Sequence, residues 1–181
     1  QGYEGKKAFV EVYSDAPFVR LSLNGSVIGT KRTKDFRARF KTRYEPGTLT
    51  AEALDESGNV FAVHSLVSGD TETRLSVRKD KTTLRAKGQE LCFVEIEFTD
   101  ANGLLKPAIE QRVELTVRGG AKLLGFGSSL CKTDEVFDKP FHNAHRGRAL
   151  AVFGAGNETG ITEVRVSSAG VEPVTITLQT I

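Results

Sequence analysis

Apolar and polar residues alternate with period two along almost the whole chain, and that pattern leaves little room for anything but β-structure. Ala8-Phe9-Val10-Glu11-Val12-Tyr13 and Val19-Arg20-Leu21-Ser22-Leu23 show it early, and Cys92 to Phe98 shows it again, with Val94, Ile96 and Phe98 facing one way and Glu95 and Glu97 the other. No stretch sustains the i, i+3, i+4, i+7 spacing of an amphipathic helix. Turn chemistry punctuates the alternation every 8–12 residues, as a β-sandwich requires. The clearest turn is Asn24-Gly25. Placed between two apolar runs, it predicts a type I′ hairpin, which needs φ > 0 at both central residues. Asn24-Gly25-Ser26 and Asn157-Glu158-Thr159 are also glycosylation sequons.

Further strands are expected at Phe36–Lys41, Thr48–Leu54 and Val60–Val67, making about six in the first seventy residues. Ser68-Gly69-Asp70-Thr71 is a polar break, after which the pattern restarts. Strands are expected at Leu75–Val77, Leu84–Ala86, Cys92–Phe98, Val113–Val117, Arg148–Phe153, Ile161–Val166 and Val174–Leu178. Residues 119–146 carry many Gly, Ser and Asp and read as one long irregular loop, of the kind that is functional or flexible in a compact domain. The fold class is therefore all-β, with two tandem immunoglobulin-like β-sandwich domains, residues 1–70 and 71–181.

Composition supports folded cores: of 181 residues, 39% are hydrophobic and 27% charged, well outside the disordered range. Net charge is +2 and evenly spread, ten Lys/Arg against nine Asp/Glu in residues 1–70 and fifteen against fourteen in 71–181. So weak a field predicts no nucleic acid and no anionic membrane as partner. No apolar run approaches the roughly 20 residues of a membrane-spanning helix. With no Met and with Gln1 first, the chain reads as a fragment of a longer polypeptide. Trp is absent and only Tyr3, Tyr13 and Tyr44 are present, which weighs modestly against a sugar-stacking site.

Each motif that suggests chemistry falls short of it. A glycosidase needs two carboxyls facing across a cleft, about 5–9.5 Å apart. Glu95 and Glu97 point in parallel from one strand, so a solvated outer face accounts for them. Gly125-Phe126-Gly127-Ser128-Ser129 does not match the Gly-x-Ser-x-Gly nucleophile elbow. His142 and His145 lie three apart near these serines but lack a strand-to-helix context, and exposed loop histidines are expected. Lys132-Thr133 lacks the glycines of a phosphate loop, and Gly154-Ala155-Gly156-Asn157-Glu158-Thr159-Gly160 lacks dinucleotide spacing. Asp100-Ala101-Asn102-Gly103 opens like a calcium loop but lacks the later acidic ligands. Cys92 and Cys131 are far apart, with no histidine at ligand spacing; two separate thiols is the plainer expectation, with a disulfide as the alternative. No catalytic, cofactor-binding or metal-ligating residue is assigned, and no cofactor is expected.

The most unusual local feature is basic: Lys31, Arg32, Lys34, Arg37, Arg39, Lys41 and Arg43 fall within thirteen residues, opposed only by Asp35. Arg37, Arg39, Lys41 and Arg43 alternate with Phe36, Ala38, Phe40 and Thr42, predicting a basic stripe on one sheet face. Such a stripe either meets an acidic glycan or acidic partner domain, or guards an exposed strand against edge pairing.

The order of motifs resembles bacterial glycoside hydrolase family 2 enzymes. Val10-Glu11-Val12-Tyr13-Ser14, then Val19-Arg20-Leu21-Ser22-Leu23-Asn24-Gly25 with Gly29, then Tyr44-Glu45-Pro46-Gly47-Thr48-Leu49 are similar to one accessory domain of that family. Phe93-Val94-Glu95-Ile96, Asp100-Ala101-Asn102-Gly103, Pro107, Leu123-Leu124-Gly125-Phe126-Gly127, Glu135, Phe137 and Arg148–Val152 are similar to the next. Ser128-Ser129-Leu130-Cys131 departs from the Asn-Gly-Asp-Pro-like run the family often has there. The resemblance implies a β-galactosidase or related exo-glycosidase as parent, with its catalytic Glu pair in a (β/α)8 barrel. This chain has no strand–helix alternation and far too few residues for that barrel. It is expected to be a non-catalytic C-terminal piece, periplasmic or extracellular, whose partners are the barrel and N-terminal domains of its parent. A carbohydrate-binding module and a bacterial cell-surface adhesion module are the alternatives.

Overall fold

A computed structural model describes residues 3–181. It divides into two compact units, Gln1–Gly69 and Asp70–Ile181. Among the described residues there is no helix, so the all-β expectation holds.

Among the described residues the first unit has six strands: β1 (Lys7–Tyr13), β2 (Phe18–Leu23), β3 (Ser26–Arg32), β4 (Arg37–Arg43), β5 (Thr48–Leu54) and β6 (Val60–Val67). β1 pairs antiparallel with β4, and the other four form a sheet in the order β3-β2-β5-β6. The alternation read from sequence selects the inward set. Val19 and Leu21 of one sheet meet Ala38 and Phe40 of the other, with Val10, Val12, Ile28, Leu49 and Ala51 packed around them. The β2–β3 hairpin turns at Asn24 (φ 50°) and Gly25 (φ 79°), both left-handed as the type I′ turn needs. Asn24 also ties this turn to a neighbouring one: its Oδ1 accepts from Thr48 N at 2.8 Å, and its Nδ2 donates to the Pro46 carbonyl at 3.0 Å.

The second unit has nine strands: β7 (Arg74–Lys79), β8 (Thr83–Leu84), β9 (Leu91–Thr99), β10 (Arg112–Arg118), β11 (Lys122–Gly127), β12 (Phe141–Asn143), β13 (Arg148–Gly154), β14 (Gly160–Ser168) and β15 (Val171–Thr180). They form two sheets, β12-β10-β14-β15-β8 and β11-β13-β9-β7, antiparallel except for β15 with β8. Between them lies one core in which Phe98, Phe126, Phe153, Ile96, Leu84 and Leu178 are sealed from solvent. Each large apolar side chain so buried contributes roughly 1.5–3 kcal/mol.

Two expectations need correction. Residues 119–146 are not one irregular loop, because they contain β11 and β12. In β11 a bulge between Leu123 and Gly125 breaks the alternation, and Gly125 and Gly127 contribute no side chain to the pattern. β12 is only three residues long. Phe36, expected to begin the basic strand, instead sits in a turn: Asp35 and Phe36 have φ of 52° and 60°. Lys34 and Arg37 close that turn with reciprocal backbone hydrogen bonds of 2.9 and 3.1 Å, leaving the Phe36 ring 72% exposed.

Candidate functional site

A concavity of about 600 Å³ in the second unit lies on the outer face of the β11-β13-β9-β7 sheet. Register builds it. Leu150 stands opposite Glu95 and Val152 opposite Phe93, while Arg148 stands opposite Glu97. The outward side chains therefore make an apolar strip flanked by charges, and every one of those charges has a partner. Arg78 donates to Glu95 at 2.6 Å and Arg148 to Glu97 at 2.8 Å. The two carboxylates point the same way from one strand, each held by its own guanidinium. This is not the opposed acid pair of a glycosidase.

One wall of the groove is the strap of residues 128–140, which crosses from β11 to β12. The Phe126 amide donates to the Phe137 carbonyl at 2.7 Å. Glu135 Oε1 accepts from the Asn143 amide at 3.0 Å and from its side-chain nitrogen at 3.1 Å. The Phe137 ring stacks on His142, with centroids 5.5 Å apart and planes 10° apart, and Phe126 meets the same imidazole edge-on at 6.2 Å. A Cβ built on Gly127 would fall 2.4 Å from the Phe137 ring, so glycine is what lets the strap lie down.

His142 corrects the sequence reading. It is not an exposed loop residue but wholly buried, with Nδ1 2.9 Å from its neighbour's carbonyl at Asn143 and 3.5 Å from Glu135 Oε2. His145 is separate from it, paired with Glu110 at 3.0 Å. Ser128 Oγ and His142 Nε2 are both buried without a hydrogen-bond partner, so they do not form the bond a serine nucleophile needs with its base. Sequence spacing alone could not show that Phe126 and Phe137 converge on His142. No group of three potential metal ligands occurs among the described residues.

The other sequence candidates resolve into local structure. The Asp100 carboxylate accepts from the amides of Asn102 (2.9 Å) and Leu104 (2.8 Å) through Oδ1, and of Asp70 (3.1 Å) through Oδ2. Burial opposes its charge, but these amides and nearby Lys106 outweigh burial and hold its pKa below the ordinary value. Its oxygens fasten a turn and are not free for calcium. Cys92 is buried in β9 and Cys131 exposed in the strap, and both are free thiols. Burial pushes the Cys92 thiol pKa up.

The basic run 31–43 is split among three places. Lys31 and Arg32 end β3 in the four-stranded sheet, Lys34 is in the turn, and Arg37, Arg39, Lys41 and Arg43 line the outer face of β4. Glu11 on β1 partly neutralises that face, lying 2.6 Å from Arg39 and 3.8 Å from Arg37. The Tyr13 hydroxyl and then Arg39 hold its carboxyl below the usual range. A cleft of about 590 Å³ remains, lined by Phe9, Ile28, Lys31, Arg39 and Lys41 among others. Lys31 donates to the Arg39 carbonyl at 2.6 Å and covers the Phe40 ring.

Comparison with known proteins gives two family matches. The family described as glycoside hydrolase family 2 C-terminal domain 5 matches residues 75–177, and a domain of unknown function (DUF4982) matches residues 5–62. Beta-galactosidase BoGH2A of Bacteroides ovatus is 29% identical over 160 residues, 87% of this chain and 19% of that protein. A glycosyl hydrolase family 2 member from Bacteroides cellulosilyticus superposes with a TM-score of 0.88 at 26% identity, covering 99% of this chain and 24% of that one. A beta-glycosidase from Bacteroides vulgatus shares the fold, with a TM-score of 0.80 at 21% identity over 99% of this chain and 23% of that one. The chain thus spans about a fifth to a quarter of the length of these relatives.

Proposed function

The chain belongs to the glycoside hydrolase family 2 C-terminal domain 5 family, and on that premise we propose that it is the non-catalytic accessory portion of a longer glycosidase. Similarity to a Bacteroides beta-galactosidase supports a parent of β-galactosidase type, in which these units pack beside a catalytic (β/α)8 barrel and the N-terminal domains. We place the two units as separate domains divided near residue 70, and the parent in the periplasm or outside the cell.

One observation carries the structural role. The groove on the outer face of the second unit is apolar, and its charges are already satisfied within the chain as Arg78–Glu95 and Arg148–Glu97. Recognition of sugar hydroxyls needs polar groups with unspent hydrogen-bonding capacity. An apolar strip edged by neutral ion pairs suits burial against another protein surface instead, where an unpaired charge would be costly. A second reading, carbohydrate binding, is favoured by the cleft at Lys31, Arg39 and Lys41 beside the 73%-exposed Phe9 ring.

A glycan-array screen of this chain with neutral and acidic sugars, followed by calorimetry, separates the two. Silence on the array, together with no hydrolysis of aryl galactosides, is the expected result. A saturable hit lost in Arg37→Ala/Arg39→Ala or in variants of residues 119–146 makes the chain a targeting module. Hydrolysis by the isolated chain ends the non-catalytic reading.

A further inference from the structure

An asparagine side chain is most open to attack by its own main chain where glycine follows it, because glycine carries no Cβ to obstruct the approach. Five asparagines occur in the chain, and glycine follows two of them, Asn24-Gly25 and Asn102-Gly103. Both pairs sit in turns, with Gly25 at φ 79° and Gly103 at φ 81°, so local sequence does not separate them.

The side-chain amide does. Asn24 spends both ends of its amide on the neighbouring turn, accepting from Thr48 N at 2.8 Å and donating to the Pro46 carbonyl at 3.0 Å. It lies so close to Gly47 that a Cβ built there would overlap it. Swinging Asn24 Cγ toward the Gly25 nitrogen therefore requires breaking both bonds. The Asn102 side chain is exposed and makes no hydrogen bond; only its main-chain N–H is engaged, with Asp100 Oδ1 at 2.9 Å. The Gly103 nitrogen has one bond to give up, to the Asp100 carbonyl at 3.1 Å, and an exposed turn opens locally far more often than a core strand. The other three asparagines precede Val60, Ala144 and Glu158. Of these, Asn59 and Asn143 also have their amides held, by Asp55 at 3.0 Å and Glu135 at 3.1 Å.

We propose that Asn102 is a site of spontaneous deamidation, a covalent change that the folded chain makes on itself with water as the only reagent. The Gly103 nitrogen gives up its proton and bonds to Asn102 Cγ, the Cγ–Nδ2 bond breaks, and ammonia carries the proton away, leaving a cyclic imide. Water then opens the ring at either carbonyl. Opening at Cγ gives aspartate; opening at the main-chain carbonyl gives isoaspartate, in which the chain runs on through Cβ and Cγ. One water enters for each ammonia lost, and nothing is oxidised or reduced. The isoaspartyl product is one main-chain carbon longer between Asp100 and Leu104. Those two residues are joined by two bonds of 2.8 Å, Asp100 N to the Leu104 carbonyl and Leu104 N to Asp100 Oδ1. Lengthening the turn pulls that fastening apart and sets a second carboxylate beside Asp100, whose Oδ2 holds the Asp70 amide at 3.1 Å.

Ageing the whole chain at mildly alkaline pH, with peptide mapping by mass spectrometry and isoaspartyl methyltransferase labelling over time, tests this. The Asn102 peptide should convert at least tenfold faster than the Asn24 peptide, and the two rates should converge in the urea-denatured chain. Asn102→Ser should abolish the isoaspartyl signal with an unchanged circular dichroism spectrum. Amide hydrogen exchange at Asp70 should quicken at least tenfold in the isoaspartyl product, and less in Asn102→Asp, which adds the charge without the extra carbon. Equal rates at Asn24 and Asn102 in the folded chain, a faster Asn24, or an Asn102 as inert as Asn59 overturns the site. An Asp70 amide unchanged in the isoaspartyl chain overturns its structural consequence.

Discussion

Replacing Gly127 with alanine tests whether the strap is seated by the close approach of one glycine to one ring. The new methyl would fall 2.4 and 2.6 Å from two Phe137 ring carbons, so the ring must move or β11 must bend. Gly127 does not have a positive φ, so backbone strain adds nothing and the whole cost is steric. Phe137 is half-exposed and its ring can give way, so the cost should lie at the low end of the range for overpacking, about 1 kcal/mol. With a urea m-value of about 2 kcal/mol/M, the midpoint should fall by roughly 0.5 M. Urea unfolding followed by far-UV circular dichroism reads this directly. Phe137→Ala alone should cost about 0.5–1.5 kcal/mol for the lost stack on His142, plus the burial of half a ring. The decisive variant is the double one. Once the ring is gone the methyl meets open space, so Gly127→Ala should cost almost nothing in the Phe137→Ala background. Gly125→Ala is the internal control: its nearest heavy atom is 4.0 Å away, and it should be neutral or slightly stabilising, since alanine restricts the unfolded chain. Equal costs of Gly127→Ala with and without Phe137, or a Gly125→Ala as damaging as Gly127→Ala, would show that the Phe137 ring does not seat the strap against Gly127.

Three further outcomes are expected. Asp100 has a depressed pKa in the folded state, so its contribution is fully present above its unfolded value of about 3.9 and is lost as pH falls through the folded value. Asp100→Asn should therefore be less stable at neutral pH and lose less stability on acidification below about pH 4, as pH-dependent urea midpoints will show. A thiol reagent at pH 8 should titrate one cysteine per native chain, Cys131, and both after denaturation, because Cys92 is buried with its pKa raised; two rapid native thiols would contradict the buried position. Asn24→Ala removes two side-chain hydrogen bonds and places alanine at φ 50°, so it should destabilise by about 1–3 kcal/mol, whereas Asn24→Gly should recover only the φ part.

What the sequence revealed was whatever a local rule could reach. Val19, Leu21, Ala38 and Phe40 alternate with polar residues and were legible as inward-facing, and Asn24-Gly25 named its own turn. What it hid depended on distant residues. His142 looked like an exposed loop histidine because nothing within a few positions announces that Phe126 and Phe137 close over it. β11 was missed because a bulge at Leu123/Gly125 shifts the alternation by one. Phe36 reads as the first apolar residue of a strand, yet the Lys34–Arg37 turn ejects it into solvent. β6 reads as a strand from its β-branched and aromatic residues, but nothing within it shows that its whole length is left exposed. Of the candidate groove, Glu95 and Glu97 were legible as neighbours on an outer face. Their partners Arg78 and Arg148 lie on two different strands and emerge only from register.

The pairing of those four charges bears on how anything could meet the groove. Arg78 with Glu95 and Arg148 with Glu97 cancel at short range, so the face projects almost no field beyond a few ångströms. A partner diffusing from solution would gain no electrostatic guidance and would associate at the unsteered rate of about 10⁵–10⁶ M⁻¹ s⁻¹, nearly independent of ionic strength. A surface that recruits a soluble molecule loses by that arrangement. A surface joined to its counterpart by the same polypeptide loses nothing, because covalent linkage already keeps the two within reach and supplies a high effective concentration.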